Sequence, residues 1–218
     1  MNITWFGYSC FKLEFGSRAN DKVSLVTDPF AKEGRNGLPR TLSAEIVTVS
    51  HDHERHNNIS DVGGNPFVIS GPGEYEIKDV AVSGVQAYHD DQNGQRQGTN
   101  TIYYIISEDI HLAHLGDLKH KLDENQLSEV CNIDVLFVPV GGGDVLSGKE
   151  AAEVVSQFEP RIIIPMHYKS GRWGSRLDGV EPFLKAMGVS SPEIVNKLKI
   201  TPRDLPQEEA KVILIESQ

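Results

Sequence analysis

The stretch that most constrains this chain runs from Ala44 to His56, AEIVTVSHDHERH, where apolar residues broken only by Thr48 lead straight into His51, His53 and His56. A β-strand places residues i and i+2 on the same side. A strand ending here therefore aims His51 and His53 at one spot, and His56 reaches that neighbourhood once the chain turns. Neutral imidazole is the commonest metal ligand, and a catalytic zinc site typically takes three protein ligands and leaves one position for water. One histidine at a strand end reads as a solvated polar turn, whereas H-x-H-x-x-H following an apolar run reads as a metal site.

The other apolar runs end in ligand types too. Val80 to Tyr88 reads as a strand ending at His89-Asp90, IHLAHL ends at Gly116-Asp117, and RIIIP leads into Met166-His167-Tyr168. His111 and His114 lie three apart on one strand and so point to opposite faces. His114 is the nearer to Asp117 and reads as a packed, supporting histidine. Towards the N-terminus, Phe11, Leu13 and Phe15 alternate with Lys12 and Glu14, a period-two strand with one buried face. Gly16 to Asp21 reads as a hairpin connection, and VSLVT follows as a second strand ending at Asp28-Pro29, where Asp28 reads as a turn cap. GPGEYEI reads as a tight turn without a catalytic role. GGGD lacks the Lys-Ser/Thr of a phosphate-binding P-loop and reads as a tight loop near the site. Helices are expected after Asp123, from Ser147 to Phe158 and over 180–188, before a final strand, VILIES.

A chain of 218 residues fits one domain with a substantial core, spanning 1–218. No apolar run approaches the length that spans a bilayer, and MNITWFGYSC lacks the basic and apolar regions of a signal peptide, so a cytoplasmic location is expected. Cys10 and Cys131 match no metal or redox spacing and read as buried, reduced thiols. The net charge of -10 repels phosphate backbones and disfavours extended nucleic acid as a partner. Against that acidic background Lys169, Arg172 and Arg176 cluster around Trp173, which suggests a loop that selects small anionic substrates, with arginine forks for a carboxylate or phosphate. Homo-oligomerisation stays open.

The order H-x-H-x-x-H, lone His, Gly-Asp, lone His after a strand resembles the metallo-beta-lactamase superfamily. Within it GYSCFKLEF, TDPF, SHDHERHNN, GPGEYEI, HLGDL, PVGGG and IPMHY are similar to the branch that includes ascorbate-6-phosphate lactonase. The resemblance implies an α/β (α+β) fold, a four-layer αβ/βα sandwich of two mixed sheets with the site along one edge. It implies that His51, His53 and His89 hold one metal, that Asp117 bridges, and that His56 and His167 belong to a second. The expected cofactor is a divalent metal, zinc first, with manganese or iron also suited to His and Asp.

The family pattern has aspartate where this chain has Arg55, and Tyr8 stands where relatives often carry histidine. Arginine stays protonated and cannot ligate a metal. At about 6 Å from a dication, with an effective dielectric near 20, its charge costs roughly 5 kcal/mol before screening. One firmly bound ion and a weak second site are therefore expected, with Arg55 serving instead to stabilise a developing anion. The implied reaction is hydrolysis of a small ester, lactone or phosphoester, with Asp117 orienting the nucleophile and His114 or Tyr168 donating near the leaving group. The alternatives are a phosphodiesterase or nuclease of the same superfamily, and a non-catalytic member disabled by Arg55.

Overall fold

The alternation of Phe11, Leu13 and Phe15 becomes a strand, Cys10–Phe15, in a computed structural model that describes residues 1–16, 22–33, 37–171 and 173–218. Its inward residues Phe11, Leu13 and Phe15 join the main core, while Cys10 joins a smaller apolar cluster on the opposite face. That division repeats along the sheet: Ile3 and Trp5 face the main core and Phe6 faces away, Leu25 faces in and Val26 out, Ile46 in and Val47 out. A sheet covered on both faces explains why AEIV reads as a continuous apolar run instead of an alternating one.

The first sheet has six strands: β1 (Asn2–Gly7), β2 (Cys10–Phe15), β3 (Val23–Thr27), β4 (Ile46–Thr48), β5 (Phe67–Ile69) and β13 (Leu198–Lys199). Their spatial order is β13-β1-β2-β3-β4-β5. β3, β4 and β5 run parallel, with Thr27 beside Thr48 and Thr48 beside Ile69. The second sheet has eight: β6 (Gly73–Ile77), β7 (Val80–Tyr88), β8 (Thr99–Ser107), β9 (Ile110–His114), β10 (Val135–Pro139), β11 (Ile162–Met166), β12 (Glu193–Val195) and β14 (Lys211–Ile215). They run in the order β12-β14-β11-β10-β9-β8-β7-β6, antiparallel from β6 to β9 and parallel from β9 to β11. Residues from both sheets share the main core.

Three α-helices follow β9. α1 (Glu124–Glu129) starts at Asp123, whose side chain accepts from the Gln126 amide while Gln126 reaches back. α2 (Gly148–Phe158) carries the same reciprocal cap from Ser147 and Glu150, and it is the crossover between the parallel strands β10 and β11. α3 (Glu181–Ala186) is short. The layer over the six-stranded sheet is built from loops and a 3-10 turn at Ile59–Asp61, packed through Phe30, Leu42, Val62 and Trp173. The expected connection at Gly16–Asp21 falls largely on residues outside those described. Among the described residues no helix is long and apolar enough to cross a membrane. Cys10 is buried as expected, but Cys131 is exposed, because it follows α1 on an outer turn and not in a strand.

Candidate metal centre

β4 stops at Thr48, three residues before the first histidine, so pleating does not aim His51 and His53 together. Turns do. The His53 amide bonds to the His51 carbonyl at 3.1 Å, and the His56 and Asn57 amides both bond to the His53 carbonyl. This coil brings the His51 ring within 5.8 Å of His53 and 4.3 Å of His56. The second sheet supplies the facing residues: His89 just beyond β7, Asp117 three residues beyond β9 and His167 directly after β11. The His51 and His89 rings lie 4.7 Å apart.

Asp117 sits between these groups. Its Oδ1 is 2.7 Å from His167 Nδ1, and its Oδ2 is 3.0 Å from His56 Nε2 and 3.5 Å from His89 Nε2. Gly116 makes this approach feasible. Its backbone is left-handed at φ 56°, and a Cβ there would stand 2.3 Å from Asn100 Oδ1 and 2.7 Å from Ser50 Cβ. Asn100 Oδ1 in turn accepts the Asp117 amide at 3.0 Å. Gly141, from the GGGD loop, has the matching role beneath His167, since a Cβ would meet the His167 carbonyl at 2.2 Å.

Among the described residues, three sets of ligand atoms lie within 4.8 Å of one another: His51 with His53 and His56; His51 with His89 and Asp117; and His56 with Asp117 and His167. His53 and His89, expected on one ion, share no set. The ligands of a tetrahedral zinc, about 2.1 Å from the ion, stand about 3.4 Å apart, so a small contraction closes any of the three. The Nε2 atoms of His51 and His89 are buried without a hydrogen bond, whereas that of His56 is paired with Asp117. A buried imidazole nitrogen in that state is costly unless something occupies it. The donors therefore fit a divalent ion with His and Asp ligands.

The protonation pattern follows the charges. Burial lowers His51 to about 4, and the charge on His56 adds to that. Burial also works against a proton on His56, but Asp117 and Asp28 outweigh it and raise this ring to about 10. Asp117 is driven the other way: burial would raise it, yet His167 and His56 hold it well below the carboxylate range. Without an ion, an imidazolium at His56 is thus the cation between two carboxylates.

The surroundings of the cluster decide between readings that the sequence leaves open, since a carboxylate at a strand end either caps a turn or holds a metal-binding histidine. Asp28, which reads as a turn cap, is fully buried and accepts from the Ser50 amide and hydroxyl at 2.7 Å each, while its Oδ2 lies 3.0 Å from His56 Nδ1. Its carboxylate orients the His56 ring no less directly than it caps the turn. Ser9 Oγ lies 3.3 Å from Asp117 Oδ1 and 3.0 Å from His167 Nδ1. Tyr8, Asp28 and His167 all hold left-handed backbone, at φ 46°, 40° and 51°, a concentration of strain that accompanies functional sites.

Other expectations are redirected. His114 is fully buried, with Nε2 bonded to the Ser9 carbonyl at 2.9 Å and its ring against Phe11 and Phe137. Tyr168 stacks on Trp5 at 5.2 Å, and burial pushes its hydroxyl up to about 12. Neither ring belongs to a ligand set, because both pack into the main core or against it. Arg55 is engaged beside the cluster by other groups: its Nε is 3.2 Å from Glu33 Oε1 and its guanidinium lies 5.2 Å from the centre of the Tyr8 ring. The Tyr8 hydroxyl donates to the other Glu33 oxygen at 2.8 Å. Lys169 and Arg176 are exposed, Arg172 lies outside the described residues, and Trp173 is buried against Tyr8 and Phe30 instead of offering a flat contact to substrate.

Comparison with known proteins gives a concordant picture. A profile described as the Beta-lactamase superfamily domain matches residues 2–167. A solved Thermotoga maritima protein, described as a candidate Zn-dependent hydrolase of the metallo-beta-lactamase superfamily, is 37% identical, with a TM-score of 0.79 over 100% of this chain and 99% of its own. A metal-dependent hydrolase of Thermococcus onnurineus is 25% identical over 90% of this chain and 96% of its own length. The isothiocyanate hydrolase from Delia radicum gut bacteria shares the fold at 12% identity, with a TM-score of 0.66 over 92% of this chain and 99% of its own.

Proposed function

The chain belongs to the metallo-beta-lactamase superfamily, and from that premise we propose that it hydrolyses a small, anionic ester, lactone or phosphoester in the cytoplasm at a centre of His51, His53, His56, His89, Asp117 and His167. That it is a metal-dependent hydrolase accords with its relatives. The observation that carries the assignment to these residues is the convergence of two buried, unsatisfied Nε2 atoms, of His51 and His89, and the His56 and His167 rings on one buried carboxylate. Zinc is the ion of choice, and manganese or iron would suit the same donors.

A divalent ion held by imidazoles supplies water of pKa about 7 and polarises a substrate oxygen. Asp117 would orient the attacking water and accept its proton, and its contacts to Ser9 and His167 fix the carboxylate plane. Hydrolysis would join the water oxygen to the carbonyl carbon or phosphorus and break the bond to the leaving oxygen, which would take up the proton that Asp117 had accepted. His114 and Tyr168 are engaged elsewhere, so Asp117 returns the proton. Arg55 does not disable the centre in this reading, since Glu33 balances its charge and draws it towards Tyr8. The net charge of -10 still weighs against a nuclease. The test is turnover by purified protein, stripped of metal and reloaded with zinc, manganese or iron, on nitrophenyl esters, lactones and phosphodiesters. Loss on stripping and return on reloading is expected; no turnover of any substrate with any ion would refute the proposal.

A further inference from the structure

Beside His51 lies a cavity of about 500 Å³, within the range that holds a small ligand. Val49, Ile59 and Pro72 supply apolar wall, and Ser70, Thr99 and Thr101 supply hydroxyls. It contains no lysine or arginine. Its one carboxylate, Asp52, is taken by the Asn57 side-chain amide. The walls are fixed in advance. The Tyr103 hydroxyl accepts the Gly71 amide at 3.0 Å and lies 2.7 Å from the Val49 carbonyl, so one buried phenol ties the 70–72 turn to the end of β4. Gly84 lets that turn come close, since a Cβ there would meet the Gly71 carbonyl at 2.6 Å. The Thr101 amide bonds to the Ser50 carbonyl at 2.8 Å and closes the other side.

We infer that this cavity is the specificity pocket of the centre and takes an uncharged part of the substrate, a short acyl chain. Its position gives the site two ends. His51 borders the cavity, whereas His167, which precedes the exposed Lys169 and Arg176, shares no ligand set with His51. The cavity wall offers an anionic group no lysine or arginine and sets Asp52 before it, so the neutral chain belongs in the pocket. GPGEYEI, which reads as a turn without a role, then contributes Gly71 and Pro72 to substrate selection.

The inference deepens the hydrolase reading, and two assays separate their failures. Uncharged nitrophenyl esters from acetyl to hexanoyl should show kcat/KM rising roughly threefold to fourfold per added methylene until the cavity is full. Thr99→Trp, at an exposed strand position, should lower the hexanoyl-to-acetyl ratio of kcat/KM at least tenfold while leaving the metal content unchanged. Ser70→Trp, in the turn, provides the same block should the first variant fold poorly. Independently of turnover, hexanamide should show saturation transfer by NMR in the parent and none in either variant. Acetyl ester turnover without a chain-length series overturns the pocket and leaves the hydrolase intact. If no ester, lactone or phosphodiester is turned over, the hydrolase reading falls, and the hexanamide assay decides the pocket: transfer abolished by Thr99→Trp upholds it, and transfer absent or unchanged overturns it.

Discussion

Raising the pH should strengthen metal binding at the His56 side of the cluster far more than at the His51 side. His56 is lifted to about 10 because Asp117 and Asp28 outweigh the cost of burial. At pH 7 a ligand with that pKa must give up a proton held three units too tightly, about 4 kcal/mol at 1.36 kcal/mol per unit, or roughly a thousandfold in affinity. His51, lowered to about 4 by burial and by the charge of His56, is already neutral and imposes no such cost. An ion bound first through His51, His89 and Asp117 adds positive charge beside Asp117 and weakens the hold on the proton, so a thousandfold is the upper end. The expected result is one site filled tightly and a second whose affinity rises up to tenfold per unit from pH 6 to 8, with about one proton released. The same linkage fixes the stability of the metal-free protein. A folded pKa above the unfolded value of 6.5 contributes stability that is complete below that pH and is lost as pH rises through about 10. Calorimetric zinc titrations in two buffers of different ionisation enthalpy count the protons. Two sites that fill with equal affinity, or a second site indifferent to pH, would refute the reasoning.

Three further outcomes follow from particular contacts. Gly116→Ala should lower stability by about 1–3 kcal/mol and weaken metal binding, because a left-handed residue gains a Cβ against Asn100 and Ser50; thermal melts with and without zinc read both. Arg55→Asp should raise second-site occupancy above the parent, and Arg55→Ala less, since only the first adds a ligand; elemental analysis at fixed zinc ranks the three. Asp90 accepts the amides of Gln92, Gly94, Arg96 and Gln97 at 2.8 Å each, and these bonds hold its carboxyl at about 2 against the opposing effect of burial. Its contribution is present above pH 4 and lost as pH falls towards 2, and Asp90→Asn should speed hydrogen exchange at those four amides at neutral pH.

What the sequence reveals is what period and punctuation encode. Apolar runs ending in His51, His89, Asp117 and His167 locate the strand ends, and reciprocal caps at Asp123 and Ser147 mark two helices. The departures are cases where a partner distant in sequence decides the outcome. Thr48 ends β4 early and hands the histidines to a coil, so His53 joins His56 and not His89. Asp28 becomes a partner of His56 only because β3 and β4 lie side by side. Tyr168 and Trp173 carry polar groups that suit a site, yet their rings are large enough that the cores take them. Arg55 reads as an obstacle until Glu33, 22 positions away, appears beside it.

The central claim, that these imidazoles and Asp117 form a metal centre, is tested most directly by anomalous diffraction at the zinc edge from crystals of protein loaded with zinc. The account predicts a strong peak about 2.1 Å from the Nε2 atoms of His51 and His89, touching Asp117, with a weaker peak or none beside His56 and His167 at neutral pH. Absence of any peak among these residues, or a peak held only by other side chains, would contradict it.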